Sequence, residues 1–200
     1  MQTEFAAGLH VPAEGVVDSS AYDQWVGRWS RLFVPAVLAA GDLRPGLRVL
    51  DVSTGTGEAS LAIIPRIGSS GLLVGVDIAA AMLQAARGRL TKSAFLPVAA
   101  DGQALPFADA SFDAVVCQLG LQFFPDPGRG LMEFRRVLRD GGRVGICVNS
   151  TPDRMPMWGI LADVLGRLQP AQASSHGEPV IALHVPGIIL CDGNCRRRTV

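Results

Sequence analysis

Three carboxylates and two glycines hold most of the chemistry this chain can offer. The segment Val49-Leu50-Asp51-Val52-Ser53-Thr54-Gly55-Thr56-Gly57-Glu58 passes from an apolar run into a glycine-bearing loop and then into helix-forming sequence. Without a Cβ, Gly55 and Gly57 can take positive φ and let a ligand approach the main chain, and the free N–H groups of the helix start add partial positive charge. About 20 residues beyond Gly57, the run Leu72-Leu73-Val74-Gly75-Val76 ends in Asp77, an acid placed to accept from both hydroxyls of a ribose. Ala99-Ala100-Asp101-Gly102 sets a third acid at the end of another apolar run. A nucleoside-containing cofactor is the ligand this set suits.

Each residue also has a plainer use. Asp51 and Asp77 can cap the helices that follow them, and Asp101-Gly102 is a turn signal in its own right. Trp25 and Trp29 can serve as core anchors. A nicotinamide-dependent oxidoreductase shares the strand, the glycine loop and the distal acid. Its fingerprint, however, needs Gly or Ala where this chain has Ser60. A non-catalytic binding or interaction module on the same fold is the other alternative.

The elements that must position these residues follow from periodicity. Arg48–Val52, Leu72–Asp77, Ala94–Ala99, Phe112–Gln118 and Arg143–Val148 read as strands whose interiors are apolar on successive positions, as in a parallel sheet covered on both faces. Between them Leu83, Ala86 and Leu90 recur at helical spacing, as do Leu131, Phe134 and Leu138. Asp140-Gly141-Gly142 is expected to stop the second of these helices, and Pro65 to bound the short helix leaving the glycine loop. Ala21 to Ala40 reads as a preceding helix broken at Pro35, with Trp25, Trp29, Leu32 and Phe33 near one face. Met157 to Leu168 has the period of a further helix, and beyond Pro170 the text is irregular. The expected division is a flexible segment over 1–20, a ligand-binding α/β domain over 21–169, and an irregular tail over 170–200.

The totals exclude several classes. The 200 residues carry 18 basic and 18 acidic side chains, which leaves no broad electrostatic footprint for nucleic acid. No stretch approaches the roughly 18 apolar residues of a membrane span, and Met1 to Gly15 lacks the apolar core of a signal peptide, so a cytoplasmic protein is expected. Cys117 and Cys147 sit in strand-like runs as reduced core residues. Cys191 and Cys195 form a lone pair short of ligands, so no metal is expected.

Taken in order, these motifs resemble the class I S-adenosylmethionine-dependent methyltransferases, most closely the small-molecule branch (methyltransferase type 11) that includes the ubiquinone and menaquinone biosynthesis C-methyltransferases. The resemblance covers roughly Tyr22 to Leu168. It implies a Rossmann-like, doubly wound, mostly parallel sheet and transfer of a methyl group from S-adenosylmethionine to an O, N or C nucleophile of a small molecule. By resemblance, Asp51, Ser53, Gly55 and Gly57 hold the methionine end of the cofactor, Asp77 the ribose, and Ile78 flanks the adenine. Asp101 accepts from the adenine amino group, with Gly102 beside it. Phe112 to Gln118 resembles the fourth-strand motif, whose end borders the transferred methyl; Gln118, Leu119, Leu121 and Gln122 belong to that region. Tyr22 and Trp29 correspond to an N-terminal cap over the cofactor.

No catalytic base is implied, and none of His10, His176 and His184 is favoured as one. Leu119, Leu121, Phe123 and Phe124 hint at an apolar acceptor. Two departures stand out. Ser53 replaces a glycine, and a positive φ there would cost about 1–2 kcal/mol. The family also closes its sheet with two further strands, one antiparallel, which the last 50 or so residues do not supply. A sheet lacking or altering its C-terminal strands is therefore expected, as from a truncated or frame-shifted product with an exposed apolar edge.

Overall fold

The computed structural model describes residues 4–5, 9–10, 22–91, 94–149 and 190–191. Two-residue strands β1 (Glu4–Phe5) and β2 (Leu9–His10) pair with each other, antiparallel and separate from the main sheet. Six strands form that sheet, five of them parallel: β3 (Arg48–Val52), β4 (Leu72–Asp77), β5 (Phe95–Ala99), β6 (Phe112–Gln118) and β7 (Leu138–Cys147). The order β5-β4-β3-β6-β7 reverses direction at β3, and its two halves diverge from there. Ligands bind open α/β sheets at that switch point, outside the carboxyl ends of the strands.

Consecutive side chains of each central strand enter opposite layers. Val49, Leu73, Ala114 and Val116 join a cluster with α2 (Val34–Ala40), α3 (Glu58–Ile67) and α4 (Ala80–Arg89). Leu50, Val74, Val76, Val115 and Cys117 join the other, with α5 (Pro127–Val137). This two-faced burial is why the strands read as unbroken apolar runs. Leu83, Ala86 and Leu90 are all buried, as their spacing implied.

The helices carry their own start and stop chemistry. The Asp126 carboxylate accepts from the Arg129 N–H at 3.0 Å and caps α5, with Pro127 in the first turn. Helix α3 runs two residues past Pro65 and ends at Gly68, whose φ is 66°. Proline does not bound it, because a single missing N–H in the last turn costs one bond while Ile63 and Ile67 anchor the helix in the core.

Three further expectations are corrected. The segment before the sheet is a five-residue π turn, Asp23–Gly27, running into the short helix α1 (Arg28–Ser30), a turn and α2. Pro35 lies in the first turn of α2 and starts it. Leu32 is 74% exposed and leaves the face on which Trp29 and the exposed Phe33 meet; the Trp25 side chain lies outside the described residues. Leu131 is exposed on α5, and Leu138 already belongs to β7.

Strand β7 starts at Leu138, five residues earlier than expected. Leu138 pairs with Phe112 and Arg143 with Ala114, so residues 139–142 bulge out opposite Asp113 alone. Gly141, at φ 76°, turns the bulge, and Arg139 forms an ion pair with Asp113. Two residues, β8 (Leu190–Cys191), pair antiparallel with β7 at Val144 and Gly145, so part of the edge expected to be bare has a neighbour. The expected helix over Met157 to Leu168 lies outside the described residues.

Candidate functional site

At the end of β3 the chain enters the left-handed region three times in five residues: Ser53 at φ 57°, Gly55 at 55° and Gly57 at 91°. The strain weighed for Ser53 is therefore real. A Cβ built on Gly55 would meet nothing within 4 Å, so the space over its backbone is open to a ligand. Gly57 serves packing: a Cβ there would lie 3.2 Å from Leu90 Cδ1 and 3.4 Å from Ala86 Cβ, where α4 crosses the loop.

A buried acid and a half-buried one shape this loop from below. Asp51 is 1% exposed, and its Oδ2 accepts from Thr54 Oγ1 at 2.9 Å and Ser60 Oγ at 2.6 Å. Burial pushes its carboxyl up to about 6; the two hydroxyls pull the other way, and the nearby Asp77 charge reinforces the rise. Asp77 Oδ2 accepts from the Gly55 N–H at 2.9 Å, and Oδ1 from the Ala79 N–H at 2.9 Å. Burial raises its carboxyl as well. Asp77 thus caps the approach to α4 and pins the glycine loop across the rim. A carboxylate has about four lone-pair sites, so each oxygen keeps capacity for a ligand hydroxyl.

Two cavities open along this rim. One, of about 260 Å³, is lined by Asp77, Ile78, Asp101, Gly102 and Phe124 together with Ser53. The other, of about 370 Å³, is lined by Tyr22, Ser30, Asp51, Thr54, Gln118 and Leu119, again together with Ser53. Gly55, Thr56 and Glu58 complete the second cavity's polar wall, which has no basic side chain. Such a wall favours a ligand bearing positive charge. Burial, with the charges of Asp77, Asp23 and Glu58, raises the Tyr22 hydroxyl and keeps it neutral.

The cap over the second cavity is tied down on two sides. Gln118 Nε2 donates to the Ser30 carbonyl at 2.7 Å. Arg89, at the end of α4, donates from Nη1 to the Thr56 carbonyl at 3.0 Å and from Nη2 to Glu58 Oε1 at 2.6 Å. Arg31 Nη2 donates to the same Glu58 oxygen at 3.2 Å, and Thr56 Oγ1 donates to Asp23.

Residues 27–160 match the ubiE/COQ5 methyltransferase family. The chain belongs to the ubiE/COQ5 methyltransferase family. It is 39% identical over 122 residues to the ubiquinone/menaquinone biosynthesis C-methyltransferase UbiE of Xanthomonas campestris, spanning 59% of this chain and 47% of that one. It is 38% identical over 148 residues to the demethylmenaquinone methyltransferase of Renibacterium salmoninarum, spanning 74% and 58%. Among solved structures, an arsenic(III) S-adenosylmethionine methyltransferase from Chlamydomonas reinhardtii is similar at 25% identity and a TM-score of 0.50, over 65% of this chain and 55% of that one. The chain spans about half the length of the curated relatives it matches.

Membership in the ubiE/COQ5 methyltransferase family displaces the nicotinamide alternative. Ser60, which breaks the dinucleotide fingerprint, is a fully buried partner of Asp51. Of the twelve residues singled out from the sequence, ten line one or both cavities: Tyr22, Asp51, Ser53, Gly55, Asp77, Ile78, Asp101, Gly102, Gln118 and Leu119. Gly57 and Trp29 do not. Trp29 packs on the core and stacks edge-on to Phe33 at 5.9 Å. Asp101 also builds its own turn, accepting from the Gln103 N–H at 2.8 Å. Gly102 is demanded by packing, since a Cβ there would lie 2.3 Å from Phe124 Cζ. Leu121 is buried in the core, and Gln122 Oε1 accepts from the Asn149 N–H at 2.7 Å.

Ser30, Thr54, Thr56 and Glu58 join the site without having been singled out. The threonines interleave with the loop glycines, which was the available signal. Ser30 and Glu58 gave none, because their place depends on how the cap folds back. Among the described residues no helix is long and apolar enough to cross a membrane, and no cluster of metal-binding side chains occurs.

Proposed function

We propose that this chain is an S-adenosylmethionine-dependent methyltransferase that moves a methyl group from the sulfonium to an O, N or C nucleophile of a small molecule by in-line displacement. The observation that carries the reading is the Asp77–Gly55 bond at a rim where two cavities meet at Ser53. One half suits a nucleoside, with Asp77 for the ribose hydroxyls, Ile78 beside the base and Asp101 for its amino group. The other half suits a cationic amino-acid end, with Asp51 beneath it and the open backbone of Gly55 against it.

Bound there, the cofactor would supply a methyl already activated by positively charged sulfur. The protein's own work is alignment and exclusion of water. Leu119, at the end of β6, gives the rim an apolar wall, while Tyr22 and Ser30 roof it. The negative field of the second cavity favours the cationic cofactor over its neutral product, which assists product release. In-line displacement from a sulfonium requires neither metal nor general base. An acceptor that must lose a proton could pass it to one of the wall's own carboxylates or to water. The names of the relatives support a quinone-type acceptor, and Leu119 gives the second cavity an apolar surface for such a ring beside the transferred methyl.

Calorimetric titration with S-adenosylhomocysteine, with NADH and NADPH in parallel, tests this reading. Saturable binding of the homocysteine nucleoside alone is expected. Selective binding of a nicotinamide, or no binding of the thioether, would overturn it.

A further inference from the structure

The cap is fastened to the glycine loop by ionic contacts that neither chemistry nor core packing requires. Tyr22 immediately precedes the π turn Asp23–Gly27 and Ser30 follows it by three residues, and both line the second cavity. A π turn inside a helical segment is an irregularity found often at functional sites. This one brings Asp23 to the loop, where its Oδ1 accepts from Thr56 Oγ1 and its Oδ2 lies 3.5 Å from Arg89 Nη1.

Arg89 is the hub. Its Nη1 reaches both the carbonyl of Thr56 and, at 3.2 Å, that residue's hydroxyl, while Nη2 holds Glu58. Glu58 in turn receives Arg31, whose Nε donates to the Gly27 carbonyl at 3.3 Å. Four charged groups from the cap, the start of α3 and the end of α4, in the order Arg31, Glu58, Arg89 and Asp23, thus form a ring beside Thr56 that closes through the backbone of the π turn, Thr56 being the residue between the two loop glycines. The ring is only partly shielded: the Glu58 side chain is 14% exposed and that of Arg89 28%. It can break without exposing core, and salt can reach it.

We propose that Arg89 is a positioning residue that latches the cap over the bound cofactor, so that the cofactor leaves only when the Arg31–Glu58–Arg89–Asp23 ring opens. This rests on the cofactor reading above and adds to it the route and control of exchange. Without the latch, Tyr22 and Ser30 can lift away from the second cavity, because among the described contacts the cap is then held by the Gln118–Ser30 bond and by Trp29 against the core. The loop keeps its shape, because Asp77 and Asp51 hold it from beneath.

Two measurements on the full chain test the latch. In stopped-flow displacement of S-adenosylhomocysteine, Arg89→Met raises the dissociation rate about tenfold and changes the association rate by less than about threefold. Arg89→Lys recovers part of the difference, since one ammonium cannot hold Thr56 and Glu58 with the planar fork of a guanidinium. In the unsubstituted protein the dissociation rate climbs as NaCl rises from about 0.05 to about 0.5 M, and Arg89→Met flattens that dependence. Hydrogen exchange without ligand shows Arg89→Met, and independently Asp23→Asn, speeding exchange in residues 22–33 while β3 and β4 are unchanged.

Unaltered exchange in the cap for both variants overturns the latch whatever the ligand. Faster cap exchange with an unchanged dissociation rate overturns its gating role. Failure of the unsubstituted protein to bind S-adenosylhomocysteine while cap exchange responds as stated would instead remove the cofactor reading and, with it, the gating role.

Discussion

Replacing Asp51 by Asn should reshape the pH dependence of stability. Asp51 is buried under the loop, and burial lifts its carboxyl from an ordinary 3.8 to about 6. The folded state therefore binds this proton more tightly than the unfolded state does. Its contribution is fully present below about pH 4 and is lost as pH rises through 6. At 1.36 kcal/mol for each pH unit between the two values, the loss approaches about 3 kcal/mol. The substituted amide keeps the volume and one acceptor oxygen for Thr54 and Ser60 but cannot titrate.

Urea unfolding followed by circular dichroism at intervals from pH 4 to pH 7 would measure the effect. The stability of the unsubstituted protein relative to Asp51→Asn should fall by about 2.5 kcal/mol across that range, most steeply near pH 5. Asp77 titrates in both proteins and largely cancels in the difference. Parallel curves would show that Asp51 is not held in a desolvated site, and the picture of a buried acid beneath the loop would fail. Saturating S-adenosylmethionine, whose cationic groups favour the carboxylate, should shrink the dependence.

Other substitutions probe separate parts of the site. Asp77→Ala should weaken S-adenosylhomocysteine by about 1–3 kcal/mol in calorimetry by removing charge-assisted hydrogen bonds; unchanged affinity in a folded variant would remove the ribose assignment. Gly120→Ala should destabilise the fold by about 1–3 kcal/mol in thermal or urea unfolding. The new Cβ would sit 2.3 Å from Ser53 Cβ, whereas the backbone φ of −93° is open to alanine. Most of that loss should return when Ser53→Gly is added, and simple additivity of the two changes would contradict the contact. Asp126→Ala should cost about 1 kcal/mol by uncapping α5, read as a lowered unfolding midpoint.

The sheet was legible because its strands are buried on both faces: Arg48–Val52, Leu72–Asp77 and Phe112–Gln118 have the same bounds in sequence and structure. The start of β7 was not, because Asp140-Gly141-Gly142 has the composition of a turn whether it ends a helix or bulges from a strand. Pro65 misled for a related reason, since local preference gave way to two isoleucines already anchored in the core. Within the site, Asp51, Gly55 and Asp77 stood out because chain order alone puts them at neighbouring strand ends. Trp29 and Gly57 were assigned by motif position, whereas the structure uses them for packing. The Arg89 ring was invisible, as it joins residues up to 66 positions apart through a π turn with no composition signal.

Ser53 belongs to the walls of both cavities, and this has a consequence for ligand design. Each half of the crevice is a compartment of its own, so on the proposed cofactor reading a purine fragment and an amino-acid fragment would occupy it side by side, with the serine as the sill between them. A tether spanning that sill would turn two weak partial ligands into one strong one through effective concentration alone, provided its length matches the step. The same sill sets a minimum reach: a molecule too short to cross it can use only one compartment.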